Sequence, residues 1–168
     1  LLEALYNAGR DEKALQLMTS HSDRSWWHMI ELGSTMTLEA WDAKFKNNLT
    51  WNHAWGAAPA NIISRFVLGV RPLEPGYRTI LIAPQPGNFG WAQGKVPTTR
   101  GPVNVNFQNG EKFHLEVEIP QGATAQVAIP ASQNGKITRN GKSAASTRQG
   151  EFLVVDNVPA GKYVFRAQ

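Results

Sequence analysis

Residues 103–119 read VNVNFQNGEKFHLEVEI, and this stretch decides the fold of the second half of the chain. Apolar side chains occupy every second position, first over 103–107 and again over 113–119. Such alternation predicts two β-strands, each with one buried face and one polar face. Asn109-Gly110 lies between them and predicts a hairpin with a type I′ turn, because both residue types tolerate a positive φ.

Shorter strand-like segments surround this hairpin, and turn-forming pairs such as Asn134-Gly135 and Asn140-Gly141 separate them. Short strands with closely spaced turn signals predict an antiparallel β-sandwich. The further strands are predicted at 77–82, 125–129, 136–138, 152–155 and 163–166.

The first part of the chain follows a helical period instead. Apolar residues at Leu1, Leu2, Leu5 and Tyr6 predict a short helix that ends at Gly9. A last helix is predicted over 55–68, with a buried stripe followed by a stop at Gly69. The stripe consists of Ala58, Ile62, Ile63, Phe66 and Val67. The Pro- and Gly-containing segment 71–76 then separates two predicted domains, 1–71 and 72–168.

Composition excludes several classes of protein. The 168 residues carry 17 Lys+Arg and 13 Asp+Glu, are 42% apolar and contain no cysteine. No apolar run approaches the roughly 20 residues of a membrane-spanning helix. The basic residues of the second half are scattered singly among turns, so we expect no nucleic-acid partner. The start at Leu1 has neither an initiator Met nor a signal peptide, and we expect function to be shared with upstream sequence.

The chemistry-bearing residues concentrate between 26 and 56, where five of the six tryptophans lie. The stretch holds no P-loop and no H-E-x-x-H motif, its histidines share no ligand spacing, and we expect neither metal nor cofactor. It does combine indoles with Glu39, Asn52 and His53. Sugars are recognised by this mixture, because an indole face packs on C–H groups while carboxylate, amide and imidazole groups bond hydroxyls.

Each of these residues also has a plain structural interpretation. Glu39 can be a solvated surface carboxylate, or can share a cation with Asp42. Asn52 can be the N-cap of the last helix, and His53 a satisfied polar residue at its entrance. On a regular helix Trp41 and Glu39 would point in different directions.

Two segments resemble one known family, the inverting α-L-rhamnosidases. They are 33–42, GSTMTLEAWD, and 52–56, NHAWG, and the likeness extends through 69–72 and 77–84. The resemblance implies that the helices are the last of an (α/α)₆ catalytic barrel, followed by a C-terminal β-sandwich. The chain departs from the family at Leu38, where an aromatic residue often precedes the Glu.

The resemblance also implies roles for individual residues. Glu39 corresponds to the general base, and His53 lines the sugar pocket with Asn52 beside it. Trp41 and Trp55 are the candidates for packing around the deoxysugar and its methyl group. In an inverting glycosidase the base activates a water while an acid, roughly 6.5–9.5 Å away, protonates the leaving oxygen. The family's acid lies in an upstream motif that these residues do not contain, so the chain alone is expected to be inactive.

The expected partners are a rhamnose-containing saccharide and the upstream part of the same enzyme. Two other functions stay open: a non-catalytic carbohydrate-binding module with a tryptophan-rich surface, and an (α/α)-barrel glycosidase for a different sugar. In the β half, structural support is the main expectation, and only Trp91 offers a stacking platform for a sugar. A periplasmic or secreted location would suit an enzyme that acts on rhamnosides, although the sequence itself does not specify the location.

Overall fold

The computed structural model describes residues 1–167, which divide into two compact units, one from Leu1 to Ile62 and one from Ile63 onward. Helices precede strands, as predicted. The α-helices are α1 (Leu2–Asn7), α2 (Asp11–Met18), α3 (Trp26–Glu31) and α4 (Ala58–Ile62). Within residues 1–167, no helix has both the length and the apolar character needed to cross a membrane.

The core of the first unit forms where α1 packs against α2 and α4. Gly9, with a φ of 65°, follows α1 as predicted and lets the chain turn back into α2. Tyr6 is fully buried here, and this burial, helped by the nearby charge of Asp11, raises its pKa to about 12.

The predicted helix 55–68 is divided into three short segments. A 3₁₀ turn (Ala54–Ala57) precedes α4, and a π-helical turn (Ile63–Val67) follows it. The Leu68 N–H donates to the Ile63 carbonyl at 2.8 Å, and this wider turn changes which side chains share a face. The prediction that Ile63 is buried is therefore wrong, since it is 45% exposed.

In the described part of the second unit, eleven strands form two sheets. One has the order β1-β2-β6-β10-β9 and the other β3-β4-β5-β11-β7-β8. The strands are β1 (Val70–Pro72), β2 (Thr79–Ile82), β3 (Trp91–Val96), β4 (Val103–Asn109), β5 (Phe113–Ile119), β6 (Thr124–Pro130), β7 (Ile137–Arg139), β8 (Lys142–Ser143), β9 (Thr147–Gln149), β10 (Phe152–Val158) and β11 (Gly161–Ala167).

The alternation in 103–119 gives the predicted pair of strands, and every apolar residue of the pattern is buried. The turn between them differs from the prediction. Asn109 pairs with Phe113, so the loop has three residues, and Gly110 has no positive φ. The type I′ conformation occurs instead at Asn140-Gly141, where both φ angles are positive and Arg139 pairs with Lys142. Asn109 is fixed by its side chain instead, which donates hydrogen bonds to the carbonyls of Gly87 and Phe89.

The sandwich is not wholly antiparallel. β2 and β6 run parallel, with Thr79 opposite Thr124 and Ile82 opposite Val127. The chain between them passes through three strands of the other sheet, and a long connection of this kind is what a parallel pair requires. The remaining strand pairs in the described part of the chain are antiparallel.

Candidate functional site

Two irregular segments, 37–39 and 50–53, lie side by side in the helical unit, and we call them the paired segments. The His53 N–H donates to the Thr37 carbonyl at 2.8 Å, and the Glu39 N–H donates to the Thr50 carbonyl at 3.0 Å. The Thr37 hydroxyl adds a 2.9 Å bond to the His53 carbonyl. These bonds bring residues more than ten positions apart into one place.

Glu39 is held by contacts to both of its carboxylate oxygens. The ammonium group of Lys46 contacts Oε1, and the Thr50 N–H donates to Oε2 at 3.2 Å. His53 Nε2 lies 4.0 Å from Oε1, and the Glu39 side chain is 21% exposed. The carboxylate is therefore fixed beside an imidazole while part of it stays open to solvent.

The hydrogen bond from Lys46 is the main reason that the pKa of Glu39 lies below its ordinary value of 4.5. The Thr50 N–H lowers it further, and partial desolvation acts in the opposite direction. Glu39 is consequently ionised at neutral pH, as a proton acceptor must be.

His53 begins the 3₁₀ turn that carries Trp55. The two rings meet edge to face, with centroids 5.6 Å apart. His53 Nδ1 is buried and finds no hydrogen-bond partner among residues 1–167. The interpretation of His53 as a satisfied polar residue is therefore not supported by its contacts.

A second group of side chains surrounds Trp41. Its ring meets that of Trp26 edge to face, with centroids 4.9 Å apart, and Trp26 Nε1 donates to the Gly56 carbonyl at 2.7 Å. The neighbouring Asp42 lies 2.9 Å from His28 Nε2, and this hydrogen bond is the main cause of a lowered pKa of Asp42. Residues 38–41 form no helix, so the argument that Glu39 and Trp41 point apart on a helix does not apply.

Two structural alternatives from the sequence can now be judged. The N-cap interpretation of Asn52 is wrong, because His53 occupies the cap position and Asn52 is exposed one residue earlier. Glu39 and Asp42 contact different partners, Lys46 and His28 respectively. Among residues 1–167 no three side chains of the His, Asp and Glu types are placed to hold a metal ion.

The structure thus places Glu39 beside His53, and His53 against Trp55. Trp41 contacts Trp26 instead, and the side chain of Asn52 is exposed. Lys46 and Thr50, which contact Glu39, were missed from the sequence. No motif marks them, because their roles arise from the pairing of two loop segments. A partly open carboxylate beside an imidazole can accept a proton from water, and the imidazole with its neighbouring indole can bind a polyol.

Two protein-family models match consecutive parts of this chain. Residues 1–67 match the bacterial α-L-rhamnosidase 6-hairpin glycosidase domain, and residues 69–144 match the bacterial α-L-rhamnosidase C-terminal domain.

Curated relatives of this chain are named α-L-rhamnosidases. An α-L-rhamnosidase of Alteromonas sp. (strain LOR) is 28% identical over 158 residues, which cover 85% of this chain and 16% of that protein. One from Streptomyces avermitilis is 29% identical over 147 residues, covering 82% and 14%. The chain thus spans only a small part of the length of the relatives that it matches.

Solved structures agree in fold. The Streptomyces avermitilis α-L-rhamnosidase, solved in complex with L-rhamnose, aligns with a TM-score of 0.84 at 26% identity, over 100% of this chain and 17% of that one. The α-L-rhamnosidase of Dictyoglumus thermophilum aligns with a TM-score of 0.88 at 24% identity, over 99% and 20%. This second likeness concerns the fold alone.

Replacing Lys46 by Met should raise the pKa of Glu39 toward 4.5, because the largest cause of its depression is removed. The ionised carboxylate is the favoured form above the folded-state pKa, so the variant should begin to protonate Glu39 at a higher pH than the unchanged chain. A ¹³C NMR titration of the Glu39 carboxyl carbon measures this midpoint. Lys44→Met is the matched control and should leave it unchanged, since Lys44 contacts Asp23. If Glu39 titrated with the same midpoint in both variants, Lys46 would not be the cause of its lowered pKa.

Replacing Gly56 by Ala should loosen the paired segments. A Cβ there would lie 2.8 Å from the Leu38 carbonyl oxygen and 3.0 Å from Thr37 Cβ, so the backbone has to shift. We expect the Glu39 and His53 amide protons to exchange roughly tenfold faster or more. Gly90→Ala is the control, because a Cβ at Gly90 meets nothing within 4 Å. Unchanged exchange in the Gly56 variant would show that the close approach to Leu38 is not needed.

Proposed function

Because this chain belongs to the bacterial α-L-rhamnosidase family, as the end of its six-hairpin domain and its C-terminal domain, we propose that it carries the general base of a rhamnoside-cleaving hydrolase. The proposed base is Glu39, and the proposed reaction is removal of terminal α-L-rhamnose with inversion. The single observation that carries this proposal is the placement of an ionised, partly open carboxylate 4.0 Å from His53.

The contacts of Glu39 suit a base that acts on water. An ionised carboxylate can accept about four hydrogen bonds, and Lys46 and the Thr50 N–H account for two. The remaining acceptor positions are available to a water molecule. Glu39 would take its proton as the oxygen attacks the anomeric carbon of the sugar.

The surrounding side chains suit a deoxysugar. His53 Nε2, which lies beside Glu39 on a partly exposed side chain, can bond a sugar hydroxyl, and the exposed Asn52 amide can bond another. Trp55 and Trp41 would pack their indoles against the C–H groups and the methyl group of rhamnose. Trp26 would hold Trp41 in place through their edge-to-face contact.

Inversion requires a second carboxyl group, which acts as the general acid. A general acid must stand roughly 6.5–9.5 Å from Glu39, on the opposite side of the sugar ring. We propose that it belongs to the upstream part of the enzyme, which is also the main partner of this chain. The β-sandwich would then serve mainly as support for the catalytic domain.

A non-catalytic sugar-binding module is the second candidate function. It is favoured by the exposure of Trp51 and Trp55 at the surface of the helical unit. The third, a glycosidase for another sugar, would be recognised by hydrolysis of a series of aryl glycosides that differ only in the sugar.

In the enzyme that contains this chain, Glu39→Gln should lower kcat on an aryl α-L-rhamnoside by roughly 10²–10⁴-fold, with KM changed far less. The amide keeps the shape of the side chain but cannot accept the proton. Glu12→Gln, at an exposed carboxylate of α2, is the control and should keep full activity. A variant at Glu39 that binds substrate weakly but turns it over normally would instead indicate the binding module.

The 168-residue chain by itself should not hydrolyse an aryl α-L-rhamnoside, because it supplies the base without the acid. Release of the aryl group, followed by absorbance, measures this directly. The same assay with the longer enzyme is the positive control. Robust turnover by the isolated chain would refute the division of the two carboxyl groups between its parts.

A further inference from the structure

The outer face of the six-stranded sheet carries a regular ladder of polar side chains, which we call the polar face. Across four neighbouring strands, Gln93 faces Asn106, Asn106 faces Glu116 and Glu116 faces Val164. The row beside it runs from Lys95 through Asn104 and Glu118 to Lys162.

These rows line a concavity of about 680 Å³ in the same four strands. Its volume lies within the range of roughly 300–1,000 Å³ that small-molecule sites occupy. Strand pairing fixes the spacing of the lining side chains, because each sits on a sheet rather than on a loop. The surface is therefore already shaped before any ligand arrives.

The polar groups are pre-oriented by bonds across the strands. Asn104 Nδ2 donates to Glu118 Oε2 at 2.8 Å, and Asn106 Nδ2 donates to Glu116 Oε2 at 3.1 Å. Each pair leaves an amide oxygen as a further acceptor, while the second carboxylate oxygens lie near Lys162 and His114. A ligand with many hydroxyl groups can donate to such a row without any change in the side chains.

The polar face carries side chains of both positive and negative charge. Lys162 Nζ lies 3.5 Å from Glu118 Oε1, and Lys95 stands in the same row. A nucleic acid or an anionic lipid surface requires a field of one sign, which this mixture does not produce. A protein partner requires a cluster of apolar anchors, and the two rows offer only Val164. A neutral, hydroxyl-rich ligand remains as the chemistry that fits.

One aromatic platform completes the surface. Trp91 lies two residues before Gln93 on β3, so its side chain is on the same face of the sheet, and it is 68% exposed. Its strand partner is Gln108, which in turn pairs with His114. Trp91 therefore stands beside the row of Gln93, Asn106 and Glu116. An indole next to amides and a carboxylate can stack a sugar ring while its hydroxyls are bonded.

We propose that the polar face, with Trp91, is a saccharide-binding surface of the β unit that takes a neutral oligosaccharide. It uses none of the residues assigned to catalysis. It rests on the proposed function only for the choice of rhamnose in the test below. Its failure would leave the role of Glu39 untouched, and a failure of Glu39 as base would leave this surface untouched.

Binding can be followed by NMR titration of the ¹⁵N-labelled 168-residue chain with two neutral probes, a rhamnose tetrasaccharide and cellotetraose. We expect at least one probe to bind and to shift the amide signals of β3, β4 and β5. Trp91→Ala and Asn106→Ala should each weaken this binding roughly tenfold or more. Trp27→Ala removes another exposed indole and is the matched control, which should leave the affinity unchanged.

Other outcomes would overturn the proposal. These are the absence of binding by both probes at about 10 mM, binding that Trp91→Ala leaves intact, and tighter binding of an anionic polysaccharide such as polygalacturonate than of either neutral probe. The spectrum of each variant reports its folding, because loss of the dispersed β-sheet signals would mark a misfolded chain. If the Trp91 variant does not fold, the binding affinity of the Asn106 variant tests the proposal.

Discussion

The arrangement around Glu39 depends on the bonds between the paired segments. Neither 37–39 nor 50–53 lies in a helix or a strand, so each could take many conformations on its own. The bonds between Thr37 and His53, and between Glu39 and Thr50, select one of them. They fix the distance from the carboxylate to the imidazole.

The pairing of these two segments also determines the charge on Glu39. The segment that supplies His53 also supplies the Thr50 N–H, and the loop between the paired segments supplies Lys46. A carboxylate with two such neighbours stays ionised at neutral pH, yet it is not enclosed. A base needs both properties, because it must be unprotonated and water must reach it.

In the β unit one set of strands serves two purposes. The inward side chains of β4 and β5, among them Phe107 and Leu115, are buried and hold the sandwich together. The outward side chains of the same strands form the polar face. Alternation along a strand makes this division possible, since a residue on one face can change without disturbing the core behind it.

The sequence by itself determined the order of helices and strands and the buried face of the central hairpin, because period and turn residues act locally. Resemblance to a family singled out Glu39 and His53. The strands β1 and β3 were not predicted. The turn at Asn109 differs from its prediction because distant carbonyls hold the Asn109 side chain. The tertiary structure alone decided the parallel pairing of β2 with β6 and the contacts of Lys46 with Glu39. Both join residues from separate segments, and no local preference of the chain specifies which segments meet.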